Sequence, residues 1–303
     1  MRITFLGTAA SRPTVGRNVS SLVVQREGET IMFDCGEGTQ RQMMRFGTGF
    51  AVDDIFFSHL HADHFLGVIG LLRTMGLQAR EHPIRLWTPA GTETILEQAV
   101  HLGVDRVPFE VEIRGLAPGD VLERDGYVIA PFRSAHSLAS LGFALTEHPR
   151  PGRFNPERAR ELGVPEGPLW GQIHRGEAVL VNGTRVEPAE LVGPSRPGRK
   201  LVYTGDTGPT RSIVEAARDA DLLIHEATFG REEAERARQT GHSTARDAAK
   251  SARNAAVLRL ILTHFSPRYA DDPRELEREA RKIFPEVLAA HDGLIVEIPF
   301  RDA

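Results

Sequence analysis

Apolar residues recur along the chain in short runs closed by glycine, aspartate or proline. Such runs are "RITFLG" at 2–7, "SLVVQ" at 21–25, "TIMFDCG" at 30–36, "DIFFSH" at 54–59 and "IRLW" at 84–87. Further on stand "YVIAPF" at 127–132, "LGFALT" at 141–146, "KLVYTGD" at 200–206, "DLLIHE" at 221–226 and "LRLILTH" at 258–264. Their content of Val, Ile, Leu and Phe predicts β-strands. Between them the pattern predicts helices over 64–78, 91–102, 210–219, 243–255 and 272–284, with Ser243 or Thr244 placed to cap the fourth. Strands and helices mixed along the full length predict an α/β layered fold. Neither a repeat nor a heptad seam is detectable.

The pattern breaks between Pro149 and Lys200, where eight prolines and eight glycines forbid a long regular element. This predicts an inserted, flexible Gly/Pro-rich arm over 149–199 within an otherwise single catalytic domain of 303 residues. Nine basic and six acidic residues make the stretch positive in a chain whose net charge is −4. It also contains "GPLWGQ", a bulky Leu-Trp pair set between turn formers, which speaks against plain disorder.

Composition narrows the class. An apolar content of 41% and a charged content of 26% are those of a soluble globular protein. The one cysteine, Cys35, excludes an internal disulfide and a cysteine-rich zinc site. No stretch resembles a signal peptide or reaches the roughly 18 apolar residues of a membrane span, so the expected setting is cytoplasmic. The negative net charge speaks weakly against a nucleic-acid partner, but a local basic patch can still steer a polyanion.

The chemistry concentrates at strand ends. "FFSHLHADHFLG" offers His59, His61, Asp63 and His64; "SAHS" offers His136, "YTGDTG" Asp206 and "LTHFSP" His264. An apolar strand runs directly into each, and α/β folds place their sites at such ends. His59 and His61, two apart in an extended segment, point to one side and can share an ion. Asp63 and His64 fall where the chain turns into a helix and suit a second ion. Imidazole and carboxylate without thiolate favour zinc or manganese. A single histidine of this kind is ordinarily a satisfied core residue, but seven of the twelve histidines fall in the segments "SHLHADH", "SAHS", "IHEATF", "GHSTA" and "LTHF".

Those segments carry a resemblance. "SHLHADH" looks like the signature of the metallo-β-lactamase superfamily. The series "FLGT", "RNVSS", "DCGEGTQRQ", "SHLHADHFLGVIGLL", "SAHS", "PLWG", "YTGDT", "HEATF", "GHST" and "THFSPRY" resembles one branch of it, the ribonuclease Z family of tRNA 3′-processing endonucleases. "DCGEGTQ" and the arm are the discriminating pieces. The resemblance implies a four-layer αββα sandwich. It implies two Zn2+ per subunit, with Mn2+ an alternative: one held by His59, His61 and His136, the other by Asp63, His64 and His264, and Asp206 bridging. It also implies a homodimer whose arm is an exosite clamping the precursor tRNA of the partner subunit.

The implied reaction is two-metal hydroxide attack on a phosphodiester, removing the 3′ trailer and leaving a 3′-hydroxyl on the tRNA. By resemblance, Asp63 orients the attacking water, as base or only as ligand. His242 of "GHST", steadied by Glu226 of "HEAT", is the candidate proton donor; both can also be read as supports behind the ligands. Asp34 and His225 are expected to orient ligands, and Cys35 to be a small buried residue. One departure stands out: the family's P-x-K-x-R-N loop reads "PTVGRN", with Val15 at the lysine position, which leaves the cut position and the handling of a CCA end open. The alternatives are a hydrolase of small phosphodiesters or related esters in the same fold and a metal-containing RNA-binding protein without turnover.

Overall fold

A computed structural model of the chain describes residues 1–104 and 106–301. Contacts divide them into two compact units, residues 1–145 with 200–299 and residues 146–199 with the C-terminal residues from Phe300.

The larger unit is built on two seven-stranded sheets. In chain order the strands are β1 Arg2–Gly7, β2 Ser21–Arg26, β3 Glu29–Cys35, β4 Asp54–Phe56, β5 Ile84–Pro89, β6 Val111–Leu116, β7 Leu122–Arg124, β8 Tyr127–Arg133, β9 Leu141–Glu147, β10 Val179–Val181, β11 Thr184–Val186, β12 Lys200–Tyr203, β13 Leu222–Glu226, β14 Leu260–Thr263, β15 Val287–Ala289 and β16 Ile295–Glu297. One sheet has the order β16-β1-β2-β3-β4-β5-β6 and the other β15-β14-β13-β12-β9-β8-β7. From β3 to β6 and from β12 to β15 neighbouring strands run parallel, with Phe33 opposite Phe56, Tyr203 opposite Ile224 and Glu226 opposite Thr263.

The central strands bury both faces, because their residues enter different cores on the two sides. On β3, Ile31 and Phe33 enter the space between the sheets, while Met32 and Cys35 pack under helices. On β14, Ile261 faces inward and Leu260 and Leu262 outward. The inner core is aromatic: Phe33 lies 5.5 Å from Phe56, 5.5 Å from Phe143 and 5.8 Å from Tyr203, drawn from both sheets. Helices Thr39–Phe46, Gly67–Leu77 and Glu93–Val100 cover one outer face. Helices Ala245–Asn254 and Arg274–Arg281 cover the other. The expected αββα sandwich is therefore observed. No helix among the described residues is long and apolar enough to cross a membrane.

Outside the elements expected from the apolar pattern fall the helices Thr39–Phe46 and Ala234–Thr240, strand β6 and the three-residue strands β7, β15 and β16. β6, "VEIRGL", is an edge strand that is largely half-exposed and carries charge, so it lacks the apolar run that marks the central strands.

The smaller unit has no long element but does have its own core. Helices Pro156–Glu161, Pro168–His174 and Pro188–Leu191 and the β10–β11 hairpin enclose Ala159, Val164, Ile173, Val179, Val181, Val186 and Leu191. Trp170 packs on this core and donates its indole N–H to the Val164 carbonyl at 3.1 Å. Arg158, Arg160, Arg175 and Arg185 each pair with a glutamate of the same segment at 2.6–3.3 Å. The segment's two feet meet in an antiparallel backbone bridge, where the Arg150 and Arg196 amides each donate to the other's carbonyl at 2.8 and 2.9 Å.

Candidate active site

The site assembles at the carboxyl ends of strands, all but β8 within the parallel runs, where polar residues follow closely on buried apolar ones. Asp34 is the last residue but one of β3, His59 to His64 follow β4, and His136 follows β8. Asp206 follows β12, Glu226 ends β13, and His264 follows β14. The turn after β3 and the helix after "SHLHADH" approach backbone to backbone. A Cβ on Gly36 would stand 2.3 Å from the Asp63 carbonyl, and one on Gly67 would stand 1.9 Å from the Gly36 carbonyl. Glycine at both positions is what lets Asp63 and His64 sit over the end of β3. Asp34 and His264 both hold the left-handed conformation, with φ of 55° and 57°. For non-glycine residues this is costly and typical of functional positions.

All seven sequence-derived ligand candidates converge. His59, His61, His136 and Asp206 form one group and Asp63, His64 and His264 another, with the donor atoms of each within 4.8 Å of one another. His61 Nδ1 lies 2.9 Å from His59 Nε2 and 3.2 Å from His136 Nε2. His64 Nε2 lies 3.3 Å from His264 Nε2. Asp206 stands between the groups, its Oδ2 3.7 Å from His59 and 3.4 Å from His64, its Oδ1 3.2 Å from His264. His61 is exposed and His136 half-buried, so the site opens on that side.

The outer nitrogens of four rings are tied down. His64 Nδ1 meets Asp34 Oδ2 at 2.7 Å, and His136 Nδ1 meets the Gly241 carbonyl at 3.0 Å. His59 Nδ1 meets Ser58 Oγ and His264 Nδ1 meets Thr228 Oγ1, each at 3.0 Å. Where the outer partner is a carbonyl or carboxylate, the outer nitrogen carries the proton and the inner one presents a lone pair. Asp34 is held in turn by Tyr203 Oη at 2.6 Å and by the Ser58 amide at 2.7 Å. Ser58, Tyr203 and Thr228 lie inside the motifs of the sequence reading but carried no assigned role there. His225, expected to orient a ligand, instead meets the Glu226 carbonyl through Nδ1 at 2.8 Å and reaches none of them. Cys35 is buried, and burial pushes its thiol pKa up, which leaves no thiolate nucleophile.

These residues fit a divalent cation. Buried lone pairs face one another at hydrogen-bond distance, and Asp206 Oδ1 is buried with no hydrogen-bond partner. Burial holds the His59 and His136 rings neutral, the form that ligates. Burial also opposes charge on His64, yet Asp206, Asp34 and Asp63 raise its pKa well above the ordinary value. An all-imidazole and carboxylate donor set suits zinc or manganese.

His242 borders the cluster, its ring 4.6 Å from that of His136. Its Nδ1 lies 2.8 Å from Glu226 Oε1. Burial opposes the imidazolium, but Glu226 outweighs it and pushes the pKa up to about 9. Glu226 is fixed by the Thr207 amide at 2.9 Å and by the Thr228 amide and hydroxyl at 3.1 and 2.7 Å. Two clefts share His242 as a wall. One is lined by Arg12, Phe229, Arg236 and Arg268, the other by Arg231, Arg238, Arg246 and Lys250, with Asp247 the one acid in either lining. A larger cleft of about 810 Å³, beside β6, includes none of the seven candidates.

The comparisons with known proteins agree with this geometry. The model of the metallo-beta-lactamase superfamily matches residues 14–264. The chain is 56% identical over 299 residues to the ribonuclease Z of Gemmatimonas aurantiaca, covering 98% of this chain and 95% of that protein. It is 52% identical over 304 residues to the ribonuclease Z of Myxococcus xanthus, covering 100% and 99%. The crystal structure of human tRNase Z, short form, matches with a TM-score of 0.72 at 29% identity over 99% of this chain and 100% of that one. A donor cluster at the strand ends of an αββα sandwich, with relatives of this identity over the full length, places the chain in the ribonuclease Z family of the metallo-β-lactamase superfamily.

Proposed function

We propose that this endoribonuclease cleaves precursor tRNA on its 3′ side in a zinc-dependent reaction that leaves a 3′-hydroxyl on the tRNA. The observation that carries the reading is the convergence of two donor groups on one shared carboxylate, Asp206, beside a His–Glu pair. His59, His61 and His136 would hold one zinc, Asp63, His64 and His264 the other, and Asp206 both. When bound, the pair of ions neutralises the phosphate oxygens and makes hydroxide available near neutral pH.

The protein's own groups do the rest. Asp63 orients the attacking water and accepts its proton as the new P–O bond forms. The P–O3′ bond breaks, and His242 gives its proton to the departing 3′ oxygen. With Nδ1 on Glu226, the His242 ring is held in one orientation. Such a donor contributes about 10²- to 10⁴-fold. The basic clefts on either side of His242 suit the phosphates flanking the cut. A homodimer, in which the 149–199 arm of one protomer grips tRNA seated on the other, and a cytoplasmic setting complete the reading.

The test maps the cut on precursors with and without CCA, with metal analysis of the same preparation. We expect about two zinc equivalents, one cut near the tRNA 3′ end, and loss of cleavage with chelator. Turnover of bis-p-nitrophenyl phosphate with no cut in tRNA would instead favour a small-phosphodiester hydrolase. Tight tRNA binding without any turnover would favour a binding protein. Light scattering at micromolar protein tests the dimer.

A further inference from the structure

The loop between β1 and β2 makes one contact to the site that no ligand assignment uses. The Ser11 amide donates to Asp63 Oδ2 at 2.7 Å, the one backbone donor on that carboxylate among the described residues. Ser11 achieves this at a φ of 63°, a conformation the loop must hold for it. What holds the loop lies far along the chain. Asp292 Oδ1 accepts the Thr8 hydroxyl at 2.8 Å. Its Oδ2 accepts the Asn18 amide at 2.6 Å and Gln42 Nε2 at 2.8 Å. One carboxylate therefore ties both ends of the loop to each other and to the helix of "DCGEGTQ".

Arg17 completes the clasp, donating from Nη1 to Thr8 Oγ1 at 2.7 Å and to the Ala290 carbonyl at 2.8 Å. Its guanidinium lies 5.2 Å from the centre of the Phe265 ring. The loop's first residues pair with the chain beside His264, through Ala10 N to Phe265 O and Phe265 N to Thr8 O, both at 2.9 Å. The clasp thus reaches two members of the same donor group, Asp63 through Ser11 and His264 through its neighbour.

We propose that Asp292 is a positioning residue for Asp63: its carboxylate clasps the 8–18 loop so that the Ser11 amide fixes the carboxylate that orients water and holds the second ion. The inference rests on the reading of Asp63 given above. Asp292→Ala strands the Asn18 amide, leaves Gln42 Nε2 with only the Leu6 carbonyl, and so loosens the loop and the Ser11 amide that meets Asp63. Asp292→Asn can keep the clasp, because its oxygen accepts from Asn18 and Gln42 while its amide donates to Thr8 Oγ1.

The experiment compares the two variants with wild type in the zinc-loaded enzyme. For Asp292→Ala we expect kcat to fall roughly 10- to 100-fold on both precursor tRNA and bis-p-nitrophenyl phosphate, with KM for tRNA little changed. One zinc equivalent should also be stripped by a chelator sooner. Asp292→Asn should restore most of both. If Asp292→Ala folds poorly, Thr8→Val removes one arm of the clasp and should show the same pattern more weakly. Wild-type kcat and zinc retention in Asp292→Ala would overturn the proposal. So would a defect confined to KM for tRNA, or an Asn variant as impaired as Ala together with a lowered melting temperature. Should the wild type cleave no tRNA, the ribonuclease reading fails alone, since zinc retention and the small-ester rate still test the clasp.

Discussion

Asp206 shows how much one side chain carries. It is buried, and burial alone would raise its pKa, yet His264 and His64 hold it well below the usual carboxylate range. Its Oδ2 approaches His59 and His64 and its Oδ1 approaches His264, so this one carboxylate reaches both donor groups. Asp206→Ala should therefore lose more than one zinc equivalent, read by metal analysis of the dialysed protein; two full equivalents with a normal rate would remove Asp206 from the site. His242 makes a different prediction. If it protonates the leaving 3′ oxygen, His242→Ala should cut kcat on tRNA by about 10²-fold or more. It should slow bis-p-nitrophenyl phosphate far less, because p-nitrophenolate leaves without a proton. Equal losses on both substrates would make His242 a support for the ligands. The ligand types were legible in the sequence because imidazole and carboxylate are unusual straight after buried strands. The supporting hydroxyls of Ser58, Thr228 and Tyr203 were not, since nothing about a Ser, Thr or Tyr in sequence says which ring nitrogen it will meet.

Strands and helices turn those side chains into a site. Phe33 packs between the sheets directly before Asp34, so removing its ring disturbs core and site together. Phe33→Ala should cost about 3–5 kcal/mol, measured by urea denaturation. A second lock holds the short strand β4 against β5. Asp54 accepts Arg85 Nε and Nη2 at 2.7 and 2.6 Å and the Trp87 indole at 2.6 Å. Burial works against the Asp54 carboxylate, but the Arg85 and Trp87 hydrogen bonds outweigh it and lower its pKa. A folded-state pKa below the unfolded one means that this stabilisation is in place above the unfolded value. It is lost as pH falls through the folded one. Asp54→Asn should thus be less stable than wild type near neutrality, the gap narrowing only below about pH 4. The central strands announced themselves by unbroken apolar runs. β6, β15 and β16 did not, being short or half-exposed.

At the scale of the whole molecule, charge and architecture are at odds with the formal balance. The chain is negative overall, yet seven basic side chains line the two clefts that share His242. Local potential, not net charge, steers a polyanion. Neutralising Arg236 and Arg268 together should weaken tRNA binding and flatten its salt dependence, the slope falling by about one unit per lost phosphate contact. The 149–199 segment has a small core of its own and pairs several of its arginines internally. Replacing 152–194 by a short turn between the paired feet should abolish tRNA cleavage and spare bis-p-nitrophenyl phosphate. Loss of both activities in a folded protein would count against a purely binding role.

The α/β class, the donor types and their order along the chain follow from local patterns of residues. Strand periodicity is local, and a histidine or aspartate carries its chemistry wherever it stands. Which nitrogens face inward, the place of Asp206 between two groups and the reach of Asp292 back to the loop of Ser11 came from tertiary contacts alone. Those facts depend on contacts between residues as far apart as Asn18 and Asp292, and such contacts exist only once both sheets have closed on their shared core.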